Sequence, residues 1–465
     1  MHKLLSPITR TDSYKVSHFT QYPDNTTHVS SYIEARGGEY DETVFFGLQA
    51  FIKEYLQTPI TEEDVQAAKA LLEAHGEPFN EEGWMIIVDE HEGILPIEIK
   101  AVAEGTVMPT GNVQVQVVNT DPRLPWLTSY VETKLLRAVW YPSTVATLSR
   151  EVKKIIYQGL VLTADNPDEE IPFKLHDFGG RGATCSESAL LGGMAHLVNF
   201  MGTDTVEGLI GPIAYYNAEG PVGYSIPATE HSTVTSWGRD GEPAMLENLL
   251  DNNPTGLVAC VIDSYDAENF ARNIVGGVLK EKILARDGVF VARPDSGDPV
   301  LMPVNIIEIL MDKFGFEVNS KGFKVLPPQV RVLQGDGMDI DKIRRLMICL
   351  HDRGLSVSNI AVGMGGGLLQ KVDRDTCKYA MKASARKTDD KWFDVYKDPI
   401  TDQGKRSKKG VLALVKRDTG FETIRAENLV KGGHGVERNY LRTVYLNGDL
   451  SIDDTFDTVR ERAKI

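Results

Sequence analysis

His231 lies in Gly223-Tyr-Ser-Ile-Pro-Ala-Thr-Glu-His-Ser-Thr-Val-Thr-Ser-Trp-Gly238, between a carboxylate and hydroxyl residues, after a proline-broken turn and before an amphipathic run. An imidazole so placed has three uses: nucleophile, general base, or plain helix-start residue. Three aspartates, Asp266, Asp295 and Asp336, each follow a short apolar run with Ser or Gly within two residues. A single Asp after a strand is most simply a helix cap, whereas three in register could bind Mg²⁺, orient a histidine or hold a ribose hydroxyl. Gly363-Met-Gly-Gly-Gly-Leu-Leu-Gln-Lys371 offers backbone N–H groups to phosphate oxygens at a helix start, or else forms a tight turn. Arg374, Lys382 and Arg386 follow it, and Lys405-Arg-Ser-Lys-Lys-Gly410 is a second basic group that reads as a solvated loop or a diphosphate clamp. Phe178, in His176-Asp-Phe-Gly-Gly-Arg181, is an aromatic at a strand end, suited to the core or to stacking on a flat heterocycle.

These residues need elements that bring them together. From residue 171 onward short apolar runs stop repeatedly at Asp or Gly: 172–182, 256–266, 288–297, 329–337 and 359–367. The run ends at Asp266, Asp295, Asp336 and Gly365 are 29, 41 and 29 residues apart, which suits βα units with helices over 267–287, 303–315 and 339–353. Near-continuous apolar strands with polar residues past their C-terminal ends describe an α/β barrel and its catalytic rim. A doubly wound sheet is weakened by the lack of a GxGxxG with a following ribose acid.

Before residue 171 the pattern differs. A turn at Pro23-Asp24-Asn25 precedes an alternating strand from His28, a helix is predicted over 61–75 ending on Gly76, and 95–119 alternates with period two. The run 126–154 reads as a helix broken at Tyr141-Pro142, and the acidic loop 164–170 reads as a domain boundary. The expected domains are a β-rich one over 1–170, completed by 381–465, and a barrel over 171–380.

Composition narrows the function. A net charge of −16 argues against a general nucleic-acid binder, which gains affinity by neutralising phosphates. Cations concentrated beside a glycine-rich turn fit a small phosphorylated molecule instead. Four scattered cysteines without a CxxC pair suggest neither disulfides nor zinc, and a cytoplasmic setting is expected. No apolar run approaches the ~18 residues of a membrane span, and the start lacks a signal-peptide core.

Long motifs carry a family resemblance. Thr11-Asp-Ser-Tyr-Lys-Val16, Leu175-His-Asp-Phe-Gly179, His196-Leu-Val-Asn-Phe-Met-Gly-Thr-Asp-Thr-Val206, the His231 stretch, Arg293-Pro-Asp-Ser-Gly297, Gln334-Gly-Asp-Gly337, Gly365-Gly-Gly-Leu-Leu-Gln-Lys371, Lys397-Asp-Pro399 and Lys405–Gly410 cover nearly the whole chain. Together they resemble the nicotinate/nicotinamide phosphoribosyltransferase family, of the type II phosphoribosyltransferase group, on its nicotinamide side. The resemblance implies an irregular α/β barrel joined to a mostly antiparallel domain built from both chain ends, and a homodimer with shared active sites. It implies transfer of phosphoribose from 5-phosphoribosyl-1-diphosphate to nicotinamide, with Mg²⁺ and optional ATP hydrolysis.

Roles follow from the same resemblance. His231 would be the histidine that ATP phosphorylates, oriented by Asp266 and Asp295. Phe178, and Tyr14 from the other subunit, would sandwich the pyridine ring; Asp204 would accept the carboxamide N–H and exclude nicotinate, with Arg181 close by. Arg293, Asp295, Gly335, Asp336, Gly365 and Gly366 would hold the ribose and its 5-phosphate. Arg36, Arg374, Lys382 and Lys405 would meet phosphates of the donor or ATP; no metal ligand is assigned. Gly180 and Ile262 depart from the pattern, standing where an aromatic and a Ser are expected. The competing readings are a nicotinate phosphoribosyltransferase and a non-catalytic phosphate-ligand sensor or signalling protein on the same scaffold.

Overall fold

The computed structural model of the chain describes residues 6–401, 406–430 and 438–465. The chain forms two compact units: Met1–Thr147 with Ile213–Ala218 and Asp373–Lys464, and Leu148–Pro212 with Glu219–Val372.

The first unit is built on a seven-stranded sheet in the order Lys391–Asp394, Tyr379–Thr388, Thr26–Ala35, Val113–Asn119, Ile97–Ala101, Arg442–Leu446, Asp449–Leu450. Its strand pairs are antiparallel and come from both chain ends. The interior strand Thr26–Ala35 is rich in β-branched and aromatic residues and buried over its last seven positions, while Asn25, at φ 59°, turns the chain into it. Helix Glu62–His75 begins in a capping box between Thr61 and Asp64 and ends on Gly76 at φ 102°, as its sequence foretold. Trp84 packs edge-on to Trp126 and Tyr130, with both centroids 5.0 Å away, contacts worth about 0.5–1.5 kcal/mol each beyond burial.

The expected break at Tyr141-Pro142 does not occur: one helix runs from Glu132 to Thr163 with Pro142 inside it. Neighbouring backbone accommodates the proline. Gly47, at φ 104°, packs directly on the Pro142 ring and the Ala138 carbonyl, and the Ser143 hydroxyl exchanges two 3.0 Å hydrogen bonds with the Phe46 backbone. The boundary between units lies within this helix, ahead of the acidic loop.

The second unit is a barrel. Six parallel strands run in the order Gly202–Thr203, Leu175–Asp177, Ile360–Met364, Val330–Gln334, Asp287–Arg293, Thr255–Val261. The irregular segment 224–229 bridges the two edges. Tyr224 N–H donates to Met201 O (2.7 Å) and Tyr224 O accepts from Thr203 N–H (3.1 Å) on one side; Pro227 O accepts from Ala259 N–H (2.9 Å) and Thr229 N–H donates to Ala259 O (3.1 Å) on the other. Ile226, Ala259, Val289, Val291, Leu333, Ala361 and Phe178 pack together between these strands.

Helices Leu301–Phe314 and Ile340–Asp352 fall where strand spacing placed them. The stretch 267–287 is not one helix but Ala267–Asn269, the π-helical Phe270–Val278 and Lys280–Ala285. Gly276-Gly277 lies within it, weakening regular helix, and Gly276 lets Lys313 pack where a Cβ would stand.

Candidate active site at the barrel rim

Because the six strands are parallel, the residues just past their C-terminal ends share one rim. Phe178 follows the strand Leu175–Asp177. Its N–H donates to Met364 O at 2.9 Å, and its ring edge lies against Gly363 and Gly335, where a Cβ on Gly335 would stand 2.9 Å from Cε2 and one on Gly363 closer still. These two glycines are thus explained by the aromatic ring, and the part of the glycine run left open is Gly365 and Gly366, where an added Cβ meets nothing nearer than 3.4 Å. Arg181 is exposed in the 3₁₀ turn Gly180–Gly182.

Asp204 follows the adjacent strand and is exposed. Its Oδ1 accepts a 2.5 Å hydrogen bond from Ser225 Oγ, and its N–H donates to Asp177 O at 2.9 Å. Asp177 is fully buried, with Oδ1 accepting from Gly179 N–H at 2.7 Å. Burial pushes its carboxyl up to about 6, helped by the charge of Asp204, while the Gly179 N–H and the Thr205 hydroxyl pull it down.

His231 opens the short helix His231–Thr235 and is half exposed. The expectation that Asp266 orients it is overturned: Asp266 caps the next helix, its carboxylate accepting from Asn269 N–H at 2.9 Å. The carboxylate on the imidazole is Asp263, with Oδ1 3.1 Å from Nε2, and it is only 5 % exposed. Asp295 does face His231, but its Oδ2 is 4.0 Å from Nδ1, beyond hydrogen-bond reach. Arg293 donates to Thr229 O at 3.3 Å; its Nε is buried and without a hydrogen-bond partner among the described residues, 3.9 Å from Asp295 Oδ1. Asp336 is exposed on a loop held by Gln334, whose side-chain amide donates to the Asp336 carbonyl at 3.0 Å. Glu230 turns away from the imidazole and hydrogen-bonds Ser232.

The remaining candidates belong to the first unit. Lys382 is held below the ordinary amine range by burial, opposed by Glu132 and reinforced by Arg36, Lys397 and Arg374, so four cations share one region. Lys397 was not singled out from sequence; only its place in a motif pointed to it. Tyr14 is 56 % exposed, and its neighbour Lys15 is buried in a 2.6 Å ion pair with Glu132. Lys405 lies outside the described residues.

Of the two departures, Gly180 packs on Thr205, where a Cβ would stand 3.2 Å from Oγ1, and Ile262 is fully buried. Ser225, Asp177 and Asp263 were missed in the sequence because hydrogen bonding, not residue type, distinguishes them. Asp263 had one available signal: it is the first carboxylate after the apolar run 256–262, nearer the strand end than Asp266.

The chain as a whole has known relatives. The sequence model of the nicotinate phosphoribosyltransferase family matches residues 173–449, more than half of the chain. The chain belongs to this family. A second family model, the nicotinamide phosphoribosyltransferase N-terminal domain, matches residues 6–99. Within the nicotinate phosphoribosyltransferase family, the chain is 50% identical over 467 residues to a nicotinamide phosphoribosyltransferase of Xanthomonas campestris, covering 100% of this chain and 99% of that one. It is 31% identical to the Acinetobacter baylyi protein of the same name, covering 98% and 97%. Among solved structures, the nicotinate-nucleotide pyrophosphorylase from Pyrococcus furiosus superposes with a TM-score of 0.62 at 15% identity over 97% of this chain and 93% of that one. Human nicotinic acid phosphoribosyltransferase does so with 0.58 at 16%, over 97% and 92%. These two establish the type II phosphoribosyltransferase fold. Among the described residues no helix is long and apolar enough to cross a membrane.

Proposed function

We propose that the chain transfers phosphoribose from 5-phosphoribosyl-1-diphosphate to nicotinamide, releasing diphosphate and giving nicotinamide mononucleotide in NAD salvage. The observation that carries this reading is the placing of Phe178 and Asp204 at adjacent strand ends, an aromatic ring and an exposed hydrogen-bond-accepting carboxylate on one rim. A neutral carboxamide donates to Asp204, whereas the carboxylate of nicotinate is repelled by between about 1 and 4 kcal/mol at roughly 4 Å, depending on local screening. Full-length relatives named nicotinamide phosphoribosyltransferase support the same choice.

In the reaction the pyridine nitrogen attacks C1 of the ribose as the C1–diphosphate bond breaks, and positive charge gathers on the sugar. The protein holds the ring on Phe178, with Tyr14 of a partner subunit as the second face in a homodimer. Gly365 and Gly366 offer N–H groups to the 5-phosphate, Arg293 pairs with its charge, Asp295 and Asp336 accept from the ribose hydroxyls, and Arg36, Arg374 and Lys382 receive phosphates of the donor or of ATP. Among the described residues no three His, Cys, Asp or Glu side chains are gathered as a metal cage. Mg²⁺ ordinarily takes one or two carboxylates and completes its shell with phosphates and water, and Asp295 suits that role. When bound it neutralises the leaving diphosphate.

ATP coupling runs through His231. With Nε2–H directed to Asp263, Nδ1 keeps its lone pair and attacks the γ-phosphorus, and ADP leaves. Incubation with nicotinamide, 5-phosphoribosyl-1-diphosphate and Mg²⁺, with and without ATP, should yield the mononucleotide. A strong preference for nicotinate would instead assign the chain to the acid-using reaction, and no turnover of either base would favour a phosphate-ligand sensor.

A further inference from the structure

Asp177 is fully buried and exposes no atom to a ligand, yet it is hydrogen-bonded on both sides of the proposed base site. Its strand lies between Gly202–Thr203 and Ile360–Met364, with Asp177 in register with Thr203 and Met364. The side chain folds forward so that Oδ1 accepts from Gly179 N–H at 2.7 Å, closing a turn around Phe178. Its main-chain carbonyl accepts from Asp204 N–H at 2.9 Å. Gly179 permits the turn: a Cβ there would stand 2.6 Å from Leu369 Cγ and 3.0 Å from Asp177 Oδ1.

The second carboxylate oxygen is unusual. Asp177 Oδ2 and Thr205 Oγ1 are both buried without a hydrogen-bond partner among the described residues. The Thr205 hydroxyl nevertheless lies near enough to the carboxylate to lower its pKa in the manner of a hydrogen-bond donor. Thr205 is itself placed by its N–H on Thr203 Oγ1 (3.1 Å), one residue beyond Asp204. A buried acid with one oxygen unsatisfied costs free energy, and such a group persists where its other bond has a use.

We propose that Asp177 is a positioning residue that fixes Phe178 and Asp204 in one frame, and so sets how the flat base and its carboxamide are held together. The inference rests on the reading of Phe178 and Asp204 as the nicotinamide site. Asp177→Asn is the conservative variant: its amide oxygen can still accept from Gly179 N–H, and its amide nitrogen can donate to Thr205 Oγ1. Asp177→Ala and Asp177→Ser remove that reach.

The test is steady-state kinetics on the full-length enzyme with each substrate varied in turn, alongside thermal unfolding. Asp177→Ala should raise the KM for nicotinamide about tenfold or more while the KM for 5-phosphoribosyl-1-diphosphate stays within about twofold, and Asp177→Asn should return the nicotinamide KM to within about threefold of wild type. If Asp177→Ala does not fold, Asp177→Ser is expected to show the same split. Equal rises in both KM values, or a nicotinamide KM unmoved in a folded Ala or Ser variant, would overturn the proposal. Wild-type enzyme that makes no mononucleotide from nicotinamide would sink the functional reading itself, whatever the Asp177 variants do.

Discussion

His231 Nε2 is 3.1 Å from Asp263 Oδ1, and this contact, rather than one with Asp266, determines how the imidazole presents itself. A carboxylate on one ring nitrogen fixes the tautomer and leaves the other nitrogen as the reactive one. Asp263→Ala should therefore reduce ATP-stimulated turnover by roughly 10- to 100-fold, the scale on which orienting partners act, while ATP-independent turnover changes less. Asp266→Ala should keep the coupling and lose about 0.5–2 kcal/mol of stability with its helix cap. Coupled ADP release and thermal unfolding on the two variants distinguish these outcomes; the reverse pattern would return the role to Asp266.

Asp204 should govern which base is used. Asp204→Asn keeps a hydrogen-bonding carbonyl and Ser225 as its neighbour but removes the charge. The ratio of kcat/KM for nicotinamide to that for nicotinate should fall about five-fold or more, chiefly through improved use of the acid. Measuring both bases in competition reads this directly; an unchanged ratio would place the discrimination elsewhere.

Gly363→Ala tests the floor beneath Phe178. The new Cβ would overlap the ring edge, so the aromatic must shift or the strand must move. Overpacking of this kind costs about 1–3 kcal/mol, and displacement of the ring should also raise the nicotinamide KM. Stability lost with the KM unchanged would mean that the ring moves without serving the base.

Glu104 gives the first unit a pH-dependent term. It is fully buried, with Oε2 accepting from Gly47 N–H (2.9 Å) and Tyr216 Oη (2.6 Å), and Oε1 accepting from Gln49 N–H (2.5 Å). Burial outweighs these donors and raises its carboxyl from 4.5 to about 7. A folded value above the unfolded one means that this contribution is present below about 4.5 and is lost as pH rises through 7, by roughly 3 kcal/mol in full. Glu104→Gln cannot ionise, so the decline in Tm between pH 5 and 8 should be flatter than in wild type. An identical slope would show that the carboxyl stays charged throughout.

Where the sequence informed, it did so through spacing. Asp266, Asp295, Asp336 and Gly365 marked successive strand ends because βα units repeat at near-constant length, and alternation over 95–119 marked the antiparallel sheet. What stayed hidden depended on three-dimensional partners. Pro142 reads as a helix breaker until Gly47 and Ser143, distant in sequence, are seen to accommodate it. Gly363 reads as a phosphate turn until Phe178 is found against it. Asp263 and Asp266 are interchangeable by type, and only the start of the following helix decides which one caps and which one turns toward His231.

The barrel is a hoop with a clasp. Segment 224–229 joins its two edges, carries Ser225 to Asp204, and runs directly into Glu230 and His231. The residue proposed to take the phosphoryl group and the residue that holds the proposed base-selecting carboxylate therefore lie six positions apart on the strap that fastens the barrel.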